Sequence, residues 1–313
     1  MRERFEANPL LGAVTGAFCI AFSGLLVRLA DVSPTTAAFY RCAYALPALA
    51  VVAAVERRGG APRPRRARLL AALAGLFFAG DLVLWHHAIA AVGAGLATVL
   101  GNLQVVVVAL LAWLVLHERP GRRLVRAIPV VLAGVTLISG VLGTAAYGDD
   151  PAVGVVYGVL TSLCYAGFIL VLRQGAGDRS RPAGPLLDAT AVAALLLLAY
   201  GAVSGDLDAA PSWPAHGWLV ALALSSQVVG WLLISLSLPR IPAAATSLVL
   251  LLQPVGAVAL GALILSERPT LVQLCGVLLV LAGVVYGSTR PRRPAGSALV
   301  GDGTAARPLA TPR

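Results

Sequence analysis

The chain has 313 residues, of which 58% are hydrophobic and only 12% are charged, and its mean hydropathy is +0.86. A soluble domain carries roughly 25% charged residues, so this composition excludes a protein that covers its surface with water-facing groups and indicates a polytopic membrane protein. The formal net charge of +10 does not indicate nucleic-acid binding, because the arginines stand in short connections between apolar runs.

Ten windows reach the roughly 20 mostly apolar residues that cross about 30 Å of hydrocarbon. These predicted spans 1 to 10 cover residues 10–30, 35–55, 69–91, 95–116, 124–143, 151–173, 185–204, 216–238, 243–265 and 271–289. Residues 1–9 are predicted to be a cytoplasmic N-terminus. Residues 290–313 are rich in Pro, Gly, Ala and Arg and are predicted to form a disordered cytoplasmic tail.

The distribution of arginine predicts the orientation in the membrane. Arginines are concentrated in the N-terminus, in the tail and in the connections after spans 2, 4, 6 and 8, whereas the alternate connections carry mainly aspartate. Cytoplasmic connections carry an excess of basic residues, so both termini are predicted to be cytoplasmic. The protein is expected to lie in the plasma membrane and to cross it many times.

The chain contains two copies of one unit, residues 10–143 and 151–289. The run NLQVVVVALLAWLVLHERP, Asn102–Pro120, returns 149 positions later as LLQPVGAVALGALILSERP, Leu251–Pro269, and VLAGV recurs at the same offset. Five spans in each copy is an odd number, so the second copy would enter the membrane from the opposite side. Inverted repeats of this kind are typical of secondary transporters, in which a site near the midplane opens to either face in turn.

Over residues 10–289 the chain resembles the EamA type of the drug/metabolite transporter superfamily. The resemblance rests on five plus five spans, on Glu-Arg-Pro after spans 4 and 9, on Arg41 in FYRCAYALP, and on the AGV of spans 5 and 10. The family usually has a proline in the middle of spans 4 and 9, where this chain has Val105 and Pro254. The second copy offers no clear counterpart of Arg41, only Asp188 near the cytoplasmic end of span 7.

The resemblance implies an all-α membrane protein of ten transmembrane helices arranged as two inverted five-helix repeats. It also implies transport of amino acids, nucleotide precursors, sugars or other small metabolites without ATP hydrolysis.

Polar residues at membrane depth are the candidates for the substrate or proton pathway, because lipid offers them no hydrogen-bond partner. Arg41 either binds a substrate carboxylate or phosphate, or it forms a structural pair or extends to the outer surface. Asp81, well inside span 3, is either a proton carrier or a static partner of Arg41. Trp85, one turn further, is a pocket wall or ordinary packing.

Neighbouring residues extend this set of candidates. His86 is adjacent to His87, so only one of the two can lie on the Asp81 side, where it would serve proton coupling; the alternative is a histidine bonded to a neighbour near the outer boundary. The remaining candidates either bind substrate or hold helices together. They are Asn102, Gln104, Gln227, Trp231 and Gln253.

Glu118 and Glu267 are predicted to be structural, because each stands before a proline, Pro120 or Pro269, that can begin the next helix. The carboxylate would then cap that helix. The scattered cysteines and histidines favour neither a disulfide framework nor a metal site, and no cofactor is expected.

These features predict a secondary transporter, an exporter of a small polar or amphipathic metabolite such as an amino acid, working by alternating access and compatible with proton coupling. Its partners would be a small-molecule substrate and the lipid bilayer; the sequence does not fix an oligomeric state. A channel or lipid scramblase is the alternative. An intramembrane enzyme is less well supported, because Asp81 with one histidine is too small a catalytic set.

Overall fold

In a computed structural model of the chain, residues 8–57, 62–138, 151–175, 181–264 and 270–288 are described, with side chains except at 90, 92–96 and 151. Over these ranges the chain forms helices and connections without a strand, which confirms the predicted all-α class. The helices are α1 Pro9–Ala30, α2 Pro34–Arg57, α3 Arg65–Asn102, α4 Gln104–Leu116, α5 Arg122–Ile138, α6 Pro151–Gly175, α7 Ala183–Ser204, α8 Ala215–Leu222, α9 Trp231–Ser237, α10 Ala243–Leu250, α11 Leu252–Ile264 and α12 Leu271–Ser288. A π-helical segment, Ala223–Gly230, joins α8 to α9.

Eight helical stretches within the described residues are long and apolar enough to cross a membrane. They are Pro9–Ala30, Pro34–Arg57, Arg65–Ile89, Ala97–Leu116, Ala152–Gly175, Ala183–Ser204, Ala215–Ser237 and Ala243–Ile264. Predicted spans 5 and 10 fall on α5 and α12, which are 17 and 18 residues long as described. The count of ten therefore stays a prediction, and residues 290–313, Glu267 and Pro269 lie outside the described ranges.

Helix α3 differs from the predicted division between spans 3 and 4. It is helical without interruption over 38 residues, through the connection predicted at 92–94. The run AVGAGLATV contains no proline, and its two glycines cost about 1 kcal/mol each in a helix, which is too little to end it. At 1.5 Å per residue, 38 residues measure about 57 Å, so α3 holds one complete span and the beginning of the next.

The helices of spans 4 and 9 are both interrupted near their middle. Leu103 separates α3 from α4, and its N–H donates to Leu100 O at 3.1 Å. Leu251 separates α10 from α11, and its N–H donates to Leu248 O at 3.1 Å. Leu251 lies one position before the residue that corresponds to Leu103 at the repeat offset of 149. Only the second has the proline that the family pattern leads one to expect, Pro254, so the break in span 4 forms without one.

The last helices of the two copies pack against each other in opposite directions. A Cβ added at Gly287 would lie 2.9 Å from Ala127 Cβ, one at Gly283 would collide with Val131 Cγ2, and one at Gly134 would lie 2.8 Å from Val280 Cγ2. The contacts thus advance along α5 while they retreat along α12, so the two helices are antiparallel. Because Gly134 and Val131 match Gly283 and Val280 at the 149 offset, the contact has the two-fold self-complementarity of inverted copies.

Helix α1 begins where the sequence predicts and packs into the second copy. Asn8 precedes Pro9, and its Oδ1 accepts a hydrogen bond from Leu11 N at 3.3 Å, a regular N-cap. A Cβ added at Gly16 would lie 2.8 Å from Gly230 O, so this glycine allows α1 to approach the π-helical segment closely. The first copy therefore packs directly against the π-helical segment of the second.

Replacing Gly134 by alanine should destabilise the protein. The added Cβ would lie 2.8 Å from the backbone oxygen of Gly276, which cannot move aside as a flexible side chain can. Overpacking of this kind costs about 1–3 kcal/mol. The measurement is the melting temperature of the purified protein in detergent, and the matched control is Gly24→Ala, which meets nothing within 4 Å. Equal melting temperatures for the two variants would contradict this account of the α5–α12 contact.

Candidate functional site

Four side chains at equivalent positions of the two copies form the centre of the site. Arg41 on α2 corresponds to Thr190 on α7, and Phe78 on α3 corresponds to Gln227 in the π-helical segment, in both cases at the offset of 149. Arg41 and Thr190 each lie seven residues beyond the start of their helix, a rise of about 10 Å. The four residues therefore meet where the two copies face each other, at membrane depth.

A buried amide connects the two copies. Arg41 Nε donates to Gln227 Oε1 at 3.0 Å, and Gln227 Nε2 donates to Thr190 Oγ1 at 3.1 Å. Gln227 and Thr190 are both 0% exposed, so neither has water as an alternative partner. The guanidinium carbon of Arg41 also lies 5.6 Å from the centre of the Phe78 ring, within the range of a cation–π interaction. The arginine is thus held on two sides.

The π-helical segment positions Gln227. A π-helix is wider than an α-helix and occurs mainly as a short insertion, frequently at functional sites. Next to Gln227, Ser226 anchors the segment to α1: its hydroxyl accepts from Ser23 Oγ at 2.9 Å and donates to Cys19 O at 3.2 Å. These contacts fix the wider turn and direct the amide toward Arg41.

Aromatic side chains form a wall beside the guanidinium. Phe78 stacks on Phe168 with centroids 4.7 Å apart, and Phe168 meets Trp231 edge-on at 4.6 Å. Tyr165 lies 6.2 Å from Trp231, and its hydroxyl accepts from Gln253 Nε2 at 3.3 Å. The indole N–H of Trp231 is buried and has no hydrogen-bond partner within the described part of the chain. An unused donor inside an aromatic wall is suited to a ligand with a polar end and an apolar body.

Asp81 belongs to the same centre without being bonded to Arg41. It lies three residues beyond Phe78 on α3, on the same helix face, and it interacts electrostatically with Arg41 and Tyr165. No direct hydrogen bond joins Asp81 and Arg41, although both side chains are described. The carboxyl group of Asp81 is therefore near the guanidinium of Arg41 but does not form a direct ion pair with it.

Four other predicted site residues make contacts elsewhere. The rings of Trp85 and His86 lie 5.3 Å apart and contact each other. Asn102 Nδ2 donates to Thr98 O of its own helix at 2.8 Å. Gln104 Nε2 donates to Ser247 O at 3.2 Å, a carbonyl next to the break at Leu251, so it joins the two interrupted helices. None of these four side chains has a described contact with Arg41. Gln104 nevertheless corresponds to Gln253 at the repeat offset of 149.

Glu118 caps a helix, but a different one from that predicted. Its Oε2 accepts from Ala243 N at 3.2 Å, at the start of α10, and from Arg173 Nη1 at 2.9 Å. Oε1 lies 2.6 Å from Arg173 Nη2, which completes a bidentate ion pair. The following helix begins at Arg122, beyond Pro120. The carboxylate therefore connects the end of span 4 to the second copy.

Sequence reasoning did not single out Thr190, Phe78, Phe168 or Tyr165. The signal for Thr190 and Phe78 was present, because the 149 offset applied to Arg41 and Gln227 points to them directly. Asp188, which the sequence analysis named in place of a clear counterpart of Arg41, forms an ion pair with Arg63. Within the described residues no group of three His, Cys, Asp or Glu side chains could hold a metal ion.

Removing the Glu118 carboxylate should lower stability more than removing its cationic partner. Arg173→Ala loses the ion pair alone, whereas Glu118→Ala also leaves Ala243 N without its acceptor, and each lost charge-assisted bond costs about 1.5–3 kcal/mol. We expect the melting temperature to be highest for wild type, lower for Arg173→Ala and lowest for Glu118→Ala. Arg119→Ala, an exposed neighbour, is the control. A Glu118→Ala protein as stable as the control would refute the capping role.

Comparison with known proteins agrees with the two-copy architecture. The model of the EamA-like transporter family matches residues 8–140 and again 152–289, once for each copy. A solved protein described as "Crystal structure of protein" matches with a TM-score of 0.74 and 16% identity, covering 90% of this chain and 96% of its own; at that identity the likeness concerns the fold alone. Among curated proteins no match was found. The chain belongs to the EamA-like transporter family, and its fold supports a role as a membrane transporter.

Proposed function

We propose that the protein is a secondary transporter of the plasma membrane that exports a small amphipathic metabolite, such as an amino acid, in exchange for protons. The observation that carries the proposal is the Arg41–Gln227–Thr190 chain, in which a cation at membrane depth is held between equivalent positions of the two copies. A site at the junction of inverted repeats can be exposed to either face by a rocking motion of the copies.

The chemistry of the site favours a substrate with a carboxylate and an apolar portion. Arg41 uses Nε to bond Gln227, which leaves the two terminal nitrogens of its guanidinium to form the planar, bidentate contact that carboxylates prefer. The rings of Phe78, Phe168 and Trp231 supply the apolar surface alongside. An amino acid satisfies both requirements.

Asp81 supports proton exchange and an outward direction. A carboxylate near the site can bind either a proton or the ammonium group of a substrate, and the two compete for it. Such competition makes the protein carry one ligand in each direction, which is antiport. Because protons move inward along the usual gradient across a plasma membrane, the metabolite would move outward.

Hydrogen bonds between the copies at both ends support alternating access. At the end where α2 begins, Tyr40 OH donates to Ala209 O at 2.7 Å and Tyr44 OH contacts His216 Nδ1 at 2.6 Å. At the opposite end Glu118 bonds Ala243 N, and Glu56 Oε2 accepts from Ala183 N at 3.0 Å. Each set joins a residue of the first copy to the second, so opening either face would require one set to break while the other holds.

Transport in proteoliposomes tests the roles of Asp81 and Arg41. Substrates are first selected by thermal shift against a pool of metabolites. Asp81→Asn should abolish flux driven by a pH gradient while retaining substrate counterflow, since an amide cannot carry a proton. Arg41→Gln should raise KM for a carboxylate substrate about tenfold or more, because a hydrogen bond to a charged group is worth about 1.5–3 kcal/mol.

Asp206→Asn provides the matched control, since this exposed acid lies outside the spans. Unchanged pH-driven flux in Asp81→Asn would refute proton exchange through Asp81. Flux that never saturates or competes would instead indicate a channel, lipid movement without solute flux would indicate a scramblase, and chemical conversion of the solute would indicate an enzyme.

Thiol labelling of intact cells tests the proposed orientation, with both termini in the cytoplasm. Single cysteines replace Arg66 and Asp206 in a protein whose four native cysteines are changed to alanine. A membrane-impermeant maleimide should label Asp206→Cys in intact cells and Arg66→Cys only after permeabilisation, because basic connections remain inside. Labelling of both positions from the outside would contradict the proposed orientation.

A further inference from the structure

The arginine-rich end of the molecule contains a cavity of about 350 Å³ that is separate from the site around Arg41. It lies where α2 ends, α3 begins and α7 begins. Among the described residues, its walls include Ala53, Glu56, Arg57, Pro62, Arg63, Arg68, Arg181 and Gly184. Its described lining contains four arginines and one glutamate, and the carboxylate of Asp188 pairs with one of these arginines, so the described lining has a net positive charge.

Arg63 presents an unused donor at this cavity. Its Nη2 bonds the Asp188 carboxylate, while its Nη1 is buried and has no partner within the described part of the chain. The guanidinium is fixed in place, since it packs over Gly184, where an added Cβ would lie 3.0 Å from Nε and 3.1 Å from Cζ. A guanidinium held in place with one nitrogen paired and one buried nitrogen unpaired is a preformed half of an anion site.

The start of α7 adds a second source of positive potential. Gly184 is the second residue of this 22-residue helix, so the cavity wall includes the first turn. The first N–H groups of a helix and its dipole attract anions, and phosphate groups are commonly bound in this way. Glu56 accepts from Ala183 N and thereby occupies one of these donors, which leaves the arginines as the principal ligands.

We propose that this cavity binds a phosphate group, held by Arg57, Arg63 and Arg68. A phosphate group suits the site because its tetrahedrally arranged oxygens can accept hydrogen bonds from several guanidinium groups at once, whereas the two oxygens of a carboxylate lie in one plane. The flanking Val55 and Leu69 are each 58% exposed, as residues facing acyl chains would be, which favours the headgroup of an anionic phospholipid as the source. A soluble phosphate compound has the same chemistry and is the other source.

Binding to the purified full-length protein in detergent tests the proposal. The probes are dioleoyl phosphatidylglycerol, with dioleoyl phosphatidylcholine as the zwitterionic comparison, and sodium pyrophosphate, with sodium sulfate at equal ionic strength. Melting temperature and native mass spectrometry report binding. We expect wild type to bind phosphatidylglycerol or pyrophosphate in preference to its comparison compound, and the preferred probe identifies the source.

The variant R57Q/R68Q should weaken this binding about tenfold or more, which corresponds to about 1.4 kcal/mol or more. The matched control is R122Q/R126Q, which removes the same charge from exposed arginines of α5 outside the cavity. Gly184→Ala, which displaces the Arg63 guanidinium, should weaken binding of the same probe. It replaces the double variant in the test if R57Q/R68Q does not fold. Equal loss of binding in the control, no effect of either cavity variant, or no binding of any probe would overturn the proposal. The test requires no transport, so its outcome is independent of the proposed export.

Discussion

Hydrocarbon cannot accept or donate a hydrogen bond, and this constraint governs where every polar group of the spans can be placed. The side chains at membrane depth direct their bonds into the protein. Gln227 joins Arg41 to Thr190, and Gln104 reaches a backbone carbonyl beside an interrupted helix. The hydrogen-bond partner of Arg41 is thus a neutral amide, and the nearby Asp81 is not bonded to it. This arrangement supports the proposed recognition of an anionic group by Arg41.

Within the described parts of the spans, irregular backbone occurs at three places: the breaks at Leu103 and Leu251 and the π-helical segment. Each interruption releases a backbone group from the regular helix pattern, and such groups are tolerated in a membrane only where the protein surrounds them. Gln104 bonds Ser247 O beside one break, and Ser226 anchors the π-helical segment to α1. The deviations from regular helix thus lie where helices of the two copies contact each other.

The sequence was sufficient for the class, for the two copies and for most spans, because apolar runs of helical length and a fixed offset need no tertiary information. It also placed Arg41 and Gln227, which the structure brings into contact, among the candidates, since polar residues in such runs are rare. It could not predict that α3 is continuous, because two glycines weaken a helix without deciding whether it ends. Nor could it predict the π-helical segment or the N–H group that donates to Glu118, since Ala243 is brought to that carboxylate only by the packing of distant helices.

The contact between α5 and α12 has a consequence for how such a protein can arise. Gly134 meets Val280 and Gly283 meets Val131, so the same two positions of the unit serve as each other's receptor. A surface with this property is complementary to itself, and a single five-helix chain bearing it can associate with a copy inserted the other way up. Joining the two copies in one polypeptide then fixes their stoichiometry and lets each acquire its own side chains, as arginine in one and threonine in the other illustrate.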